Sequence, residues 1–156
     1  MMVKNREPHV NKNDEWRNEF ADWLAGYQWR WFVTLTFLPG STKHKATWRL
    51  RTWVNELQQI LGTAEFQWVA VPEFGRTLFD FHFHLLVGGL RRWHAKERLQ
   101  WMRRWNQFSG DALICPFNAK AGGVSYILKN LRPENMDDIE LHLCSNTQMQ
   151  SMFGVK

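Results

Sequence analysis

Cysteine is scarce in this chain: only Cys115 and Cys144 occur. Two such residues make no disulfide framework, and neither stands in a paired spacing suited to zinc. A reducing cytoplasm is the expected compartment. Long apolar runs are missing too. No stretch of about 18 uncharged apolar residues occurs, so nothing is expected to span a membrane. The segment Met1 to Trp16 is polar and charged, unlike a secretory leader. No Gly-Lys-Ser/Thr phosphate loop and no helicase motif is found, which excludes a nucleotide-driven motor of that type.

Acidic residues are the rarer charge. Lys and Arg number 20 against 15 Asp and Glu, giving a formal charge of +5 and a pI of about 9.5. That balance favours a polyanionic partner such as nucleic acid. Tryptophan, by contrast, is plentiful, with ten residues. Its flat rings serve either a packed core or stacking on bases. At 156 residues and 44% hydrophobic content the chain suits one globular domain with one core. It shows no internal repeat and no linker.

Periodicity supplies the elements. Residues 1–12 are expected to be a loose arm. Trp16, Phe20, Trp23 and Leu24 mark an amphipathic helix over Asn13 to Tyr27. Trp29 to Phe37 reads as a strand closed by Pro39 and Gly40. Leu50, Trp53, Val54, Leu57, Ile60 and Leu61 form a helical stripe within Lys43 to Leu61. Phe66 to Val71 and Phe79 to Val87 read as a strand hairpin, with Pro72 to Thr77 as exit and turn and Gly88-Gly89 closing the second strand. A helix over Trp93 to Phe108, a strand over Ala112 to Phe117 and a helix over Gly123 to Leu131 complete the pattern. Residues 133–156 show no clear periodicity. The order predicts an α+β, ferredoxin-like split β-α-β sandwich, its antiparallel sheet of four or five strands covered by helices.

Three features carry chemistry. In Phe81-His82-Phe83-His84-Leu85 the alternation puts Asp80, His82, His84 and Leu86 on one strand face and Phe81, Phe83, Leu85 and Val87 on the other. Two neighbouring imidazoles on one face suit a shared metal ion. Glu73, folded back by the hairpin, is the candidate third ligand, and Asp80 is the alternative. Carboxylate oxygen suits Mg²⁺ or Mn²⁺ and leaves positions open for phosphate. In the last helix Val124, Ile127, Leu128 and Leu131 form one stripe, so Tyr126 and Lys129 share the opposite face. An ordinary tyrosine hydroxyl ionises near pH 10, and forming its phenolate at pH 7 costs about 4 kcal/mol. A cation one helical turn away offsets part of that cost. Third, Arg91, Arg92, Arg103 and Arg104, with Arg76 in the turn, are candidate contacts to DNA phosphates. The interleaved Trp93, Trp101 and Trp105 read better as helix packing than as stacking platforms.

Together these segments resemble the HUH endonuclease superfamily, and within it the rolling-circle replication initiators. Phe32-Val33-Thr34-Leu35-Thr36-Phe37 resembles the first initiator motif. His82-Phe83-His84 resembles the His-hydrophobic-His motif, and Tyr126-Ile127-Leu128-Lys129 resembles the tyrosine motif. Order and element type agree over residues 29–132, which outlines a nicking domain over 1–132. The resemblance implies metal-dependent nicking of single-stranded or hairpin DNA at a replication origin. A 5′-phosphotyrosine link would form on Tyr126, with a free 3′-OH. It further implies Thr34 and Thr36 at the DNA, a host helicase and polymerase as partners, and a monomer or weak dimer. Tyr27 is the only other tyrosine, which points to a one-tyrosine enzyme. Three alternatives stay open: a one-tyrosine HUH transposase, a non-catalytic nucleic-acid-binding module on the same fold, and a phosphodiesterase that uses water as nucleophile.

Overall fold

Helix α2 (Lys43–Leu61) shows how local sequence sets the frame. Its N-cap, Thr42, accepts a hydrogen bond from the Lys45 amide, and its chain turns out at Gly62, whose N–H returns to the Gln58 carbonyl. Between those ends Ala46, Leu50, Trp53, Val54, Leu57 and Leu61 are buried as one stripe. The computed structural model describes residues 12–75 and 81–144. Around α2 it places α1 (Lys12–Ala25), β1 (Trp31–Thr36), β2 (Gly62–Phe74), β3 (Phe81–Leu90) and α3 (Ala95–Asn106). These are followed by β4 (Ala112–Pro116), α4 (Gly123–Leu128) and β5 (Glu140–His142). Short 3-10 turns occupy Ala119–Ala121 and Pro133–Asp138.

The five strands form one antiparallel sheet in the order β4-β1-β3-β2-β5. The protein is thus α+β, and the path β1-α2-β2-β3-α3-β4 is compatible with a ferredoxin-like sandwich. Helices cover both faces. On one side Trp31, Val33 and Leu35 of β1 and Phe81, Phe83, Leu85 and Val87 of β3 pack under α2 and under Trp101 and Trp105 of α3. On the other, Val69, Val71 and Leu86 meet Leu24 of α1 and Val124, Ile127 and Leu128 of α4. Each such side chain contributes about 1.5–3 kcal/mol through burial. Trp101 and Trp105 are core residues, and the Trp105 indole N–H donates to the Thr36 carbonyl at 3.0 Å.

Three segments differ from the sequence pattern. Strand β2 does not leave the sheet at Pro72; it runs on to Phe74, with Pro72 opposite Phe83 and Glu73 opposite His82. Proline is tolerated there because, among the described residues, β5 covers only Trp68 to Ala70, so no described strand asks for a donor from Pro72 on that side. Strand β3 likewise does not close at Gly88-Gly89 but reaches Leu90 through a bulge, where the pairing shifts between Gly62↔Leu90 and Gln67↔Gly88. Gly89 has φ +66, and a Cβ there would stand 2.1 Å from the Glu65 carbonyl oxygen, so only glycine fits. Finally, the segment after Arg132 supplies β5. Arg51 of α2 holds it through a two-pronged ion pair with Glu140, both contacts at 2.9 Å.

Candidate active site

The ladder between β2 and β3 builds the site. Glu73 faces His82 directly across the two strands, and His84 lies two residues further along β3 on the same face. The Nε2 atoms of His82 and His84 are 3.1 Å apart. Glu73 Oε2 lies 2.7 Å from the His84 nitrogen and 3.3 Å from that of His82. Three ligand atoms therefore converge on one point. An ion about 2.1 Å from each of three mutually perpendicular ligands spaces them about 3 Å apart, so the observed triangle fits one face of an octahedral site. The donor set, two imidazoles and one carboxylate, could hold a metal ion of the Mg²⁺, Mn²⁺ or Fe²⁺ type.

The surroundings prepare these groups for that role. His84 is 5% exposed, and burial holds its imidazole below the usual histidine range, against the opposing pull of Glu73. A neutral ring is the metal-binding form. Thr34 of β1, opposite His84 in the ladder, places Oγ1 3.1 Å from His84 Nδ1. That bond fixes the ring and leaves Nε2 for the shared point. Burial alone would raise the Glu73 carboxyl, but hydrogen bonds from Lys129 and His84 outweigh it and hold Glu73 below the usual carboxylate range. Its second oxygen, Oε1, takes Lys129 Nζ at 3.0 Å and Asn130 Nδ2 at 3.4 Å.

Helix α4 brings the tyrosine. Its stripe of Val124, Ile127 and Leu128 is buried, as expected, while Tyr126 on the opposite side is 46% exposed. Gly123 lets the helix start close to the sheet, since a Cβ there would meet Phe117 at 3.1 Å and Phe32 at 3.4 Å. Arg17 of α1 donates to the Lys129 carbonyl at 2.7 Å and ties down the other end. The Tyr126 ring stands edge-on to His84 at 5.2 Å between centroids, with Phe32 wedged 5.8 Å from His84 and 5.9 Å from Tyr126. Lys129 Nζ lies 4.0 Å over the Tyr126 ring. Glu73 first, and then Tyr126, hold this ammonium above the ordinary lysine value.

The structure thus gathers Glu73, His82, His84, Tyr126, Lys129 and Thr34 at one place. Thr36 differs: its hydroxyl bridges to the backbone of Asp111, donating to the carbonyl at 3.1 Å and accepting from the N–H at 3.0 Å. The expected arginines lie elsewhere. Arg91 and Arg92 follow the far end of β3, roughly 30 Å of strand from His82. Arg91 there donates to the Gly62 carbonyl at 2.7 Å. Arg103 and Arg104 ride on α3, which covers the opposite face of the sheet, and Arg104 pairs with Glu56 at 2.7 Å. Arg76 and Asp80 lie outside the described residues. Sequence reasoning did not find Asn130, whose one clue was its place next to Lys129, nor Thr34 as the partner of His84. No helix among the described residues is long and apolar enough to cross a membrane. Searches against protein-family models, curated proteins and solved structures found no match to this chain.

Proposed function

We propose that this protein is an HUH-type nickase of single-stranded DNA, acting as a one-tyrosine replication initiator. The observation that carries the reading is the meeting of two imidazoles and a carboxylate at one point, with an exposed tyrosine 5.2 Å from His84. Mg²⁺ or Mn²⁺ bound by Glu73, His82 and His84 would supply Lewis-acid polarisation of the scissile phosphate. Tyr126 attacks the phosphorus. Its hydroxyl proton leaves to solvent, the Tyr126 oxygen–phosphorus bond forms, and the bond to the 3′ oxygen breaks. That oxygen takes up a proton and departs as a 3′-OH, leaving a 5′-phosphotyrosine. One phosphodiester replaces another, so a later 3′-OH can reverse the step and rejoin a strand. Lys129, held as a cation by Glu73, is not the base; it stabilises the developing phenolate and phosphate charge.

Within the HUH class the initiator is favoured over the insertion-sequence transposase, in which partner chains exchange the tyrosine helix. The Thr34-Leu35-Thr36 segment and the spacing of Tyr126 and Lys129 support the initiator. Origin DNA and host unwinding and synthesis enzymes would be the partners. The test is incubation with single-stranded DNA of the source replicon and Mn²⁺, followed by denaturing electrophoresis. A protein–DNA adduct lost in Tyr126→Phe and in EDTA is expected. Cleavage without an adduct, retained in Tyr126→Phe, would transfer the site to a water-using phosphodiesterase.

A further inference from the structure

A second surface is built like a track for a flexible polyanion. Lys45, Arg49 and Thr52 recur on α2 at helical spacing and line a groove between that helix and the loop from α3 to β4. The groove consists of two adjoining hollows, of about 320 Å³ and 170 Å³, that share Arg49, Phe108 and Ser109. One exposed ring, Phe108, lines both hollows, and a second, Trp48, stands next to Arg49 on α2 outside their lining. Phe108 is 63% exposed and Trp48 is 55% exposed, with the Arg49 guanidinium 5.3 Å from the Trp48 ring centre. From Lys43 to Asn55 helix α2 carries no carboxylate; Glu56, the first, is already neutralised by Arg104 at 2.7 Å. The smaller hollow lies toward the same end of the sheet as His82, on the opposite face. Thr36, the ladder partner of His82, leads within two residues to Phe37 and Leu38, which line the smaller hollow.

We infer that this groove binds the single-stranded DNA that flanks the scissile phosphate, with bases stacked on Trp48 and Phe108 and phosphates on Lys45 and Arg49. The inference rests on the nickase reading above. Charge selects the occupant: cations with exposed aromatic rings match a strand whose bases are free to stack, whereas a paired duplex hides those faces. Because the groove lies on the α2–α3 side, the strand reaches it by passing over the end of the sheet where β1 stops.

The test uses the full chain carrying Tyr126→Phe, so that nothing is cut, and a fluorescein-labelled dT20 in EDTA, read by anisotropy. Trp48→Ala and Phe108→Ala should each weaken binding about tenfold. Lys45→Ala and Arg49→Ala should each lower the slope of log affinity against log salt by about 0.7. All four side chains are surface-exposed or groove-lining, and circular dichroism checks the fold. Unchanged affinity and slope in the quadruple variant, while the wild-type chain still forms its tyrosine adduct, would overturn the groove and leave the nickase standing. No dT20 binding by the Tyr126→Phe chain, together with no adduct from the wild-type chain, would overturn both. A variant that changes only sedimentation, with affinity intact, would assign the rings to self-association and overturn the inference as well.

Discussion

Glu73 splits its two oxygens between two tasks: Oε2 meets the histidines of β3, and Oε1 holds Lys129, the residue that caps the end of α4. One carboxylate thus couples the metal-ligand triangle to the cation beside Tyr126. Glu73→Gln keeps the shape and removes the charge from both. We expect Mn²⁺ affinity to fall at least ~100-fold, more than for loss of an outer-shell partner, with the fold kept. Calorimetric titration checks this, and an unchanged Mn²⁺ isotherm would remove Glu73 from the ligand set.

Tyr126 is half in solvent, and its hydroxyl carries no described structural bond beyond its closeness to Lys129. Tyr126→Phe should therefore shift the urea midpoint little, within about 0.5 kcal/mol of wild type. Adduct formation on single-stranded DNA should vanish while DNA affinity stays. Wild-type cutting by this variant would exclude Tyr126 as the nucleophile.

Much of this geometry is legible in the sequence. The alternation of Phe81, Phe83, Leu85 and Val87 with His82, His84 and Leu86 separates core from site, because strand periodicity is a local property. The stripe of Val124, Ile127 and Leu128 predicts the exposure of Tyr126 for the same reason. Sites that depend on long-range pairing are less legible. Pro72 and Gly75 read as a turn, yet β2 continues through Glu73, where no strand among the described residues pairs with its outer side. Arg103 and Arg104 are candidate DNA contacts in the linear chain, and only the crossover of α3 fixes that they lie on the sheet face opposite the histidines. Strand β5 has three residues and no period of its own; Trp68 to Ala70 and Arg51 give it its place.

Thr34 offers a separation of two roles. As a ring partner of His84 it would act on metal binding; as a DNA contact it would act on a phosphate. Thr34→Val keeps shape and strand propensity while deleting the hydroxyl. We expect about tenfold weaker Mn²⁺ binding and an unchanged salt slope for dT20 in EDTA. A slope reduced by about 0.7 with normal Mn²⁺ affinity would instead place Thr34 on the DNA.

Gly89 tests the fold away from the site. Its φ of +66 and the 2.1 Å approach to the Glu65 oxygen leave no room for a methyl group. Gly89→Ala should cost more than about 2 kcal/mol, through backbone strain and displacement of the bulge. Urea unfolding reads this directly. A midpoint equal to wild type would mean the bulge relaxes freely.

Lys129 bears on the chemistry most finely, since it touches Glu73, Tyr126 and neither histidine by ion pairing. If it serves charge that develops during attack, its loss must appear in the rate rather than in binding. Lys129→Met retains much of the stem and removes the ammonium. The expected result is adduct formation slowed about 100-fold or more, the scale of one lost electrostatic contact to a transition state, with dT20 affinity changed less than about threefold, as for a single exposed charge. Lys129→Arg should recover part of the rate, because a guanidinium keeps the charge but not the compact geometry. Single-turnover kinetics at saturating DNA separate the two quantities. A variant that binds tenfold more weakly yet cuts at the wild-type rate once bound would make Lys129 a phosphate anchor, and the phenolate would then need another cation.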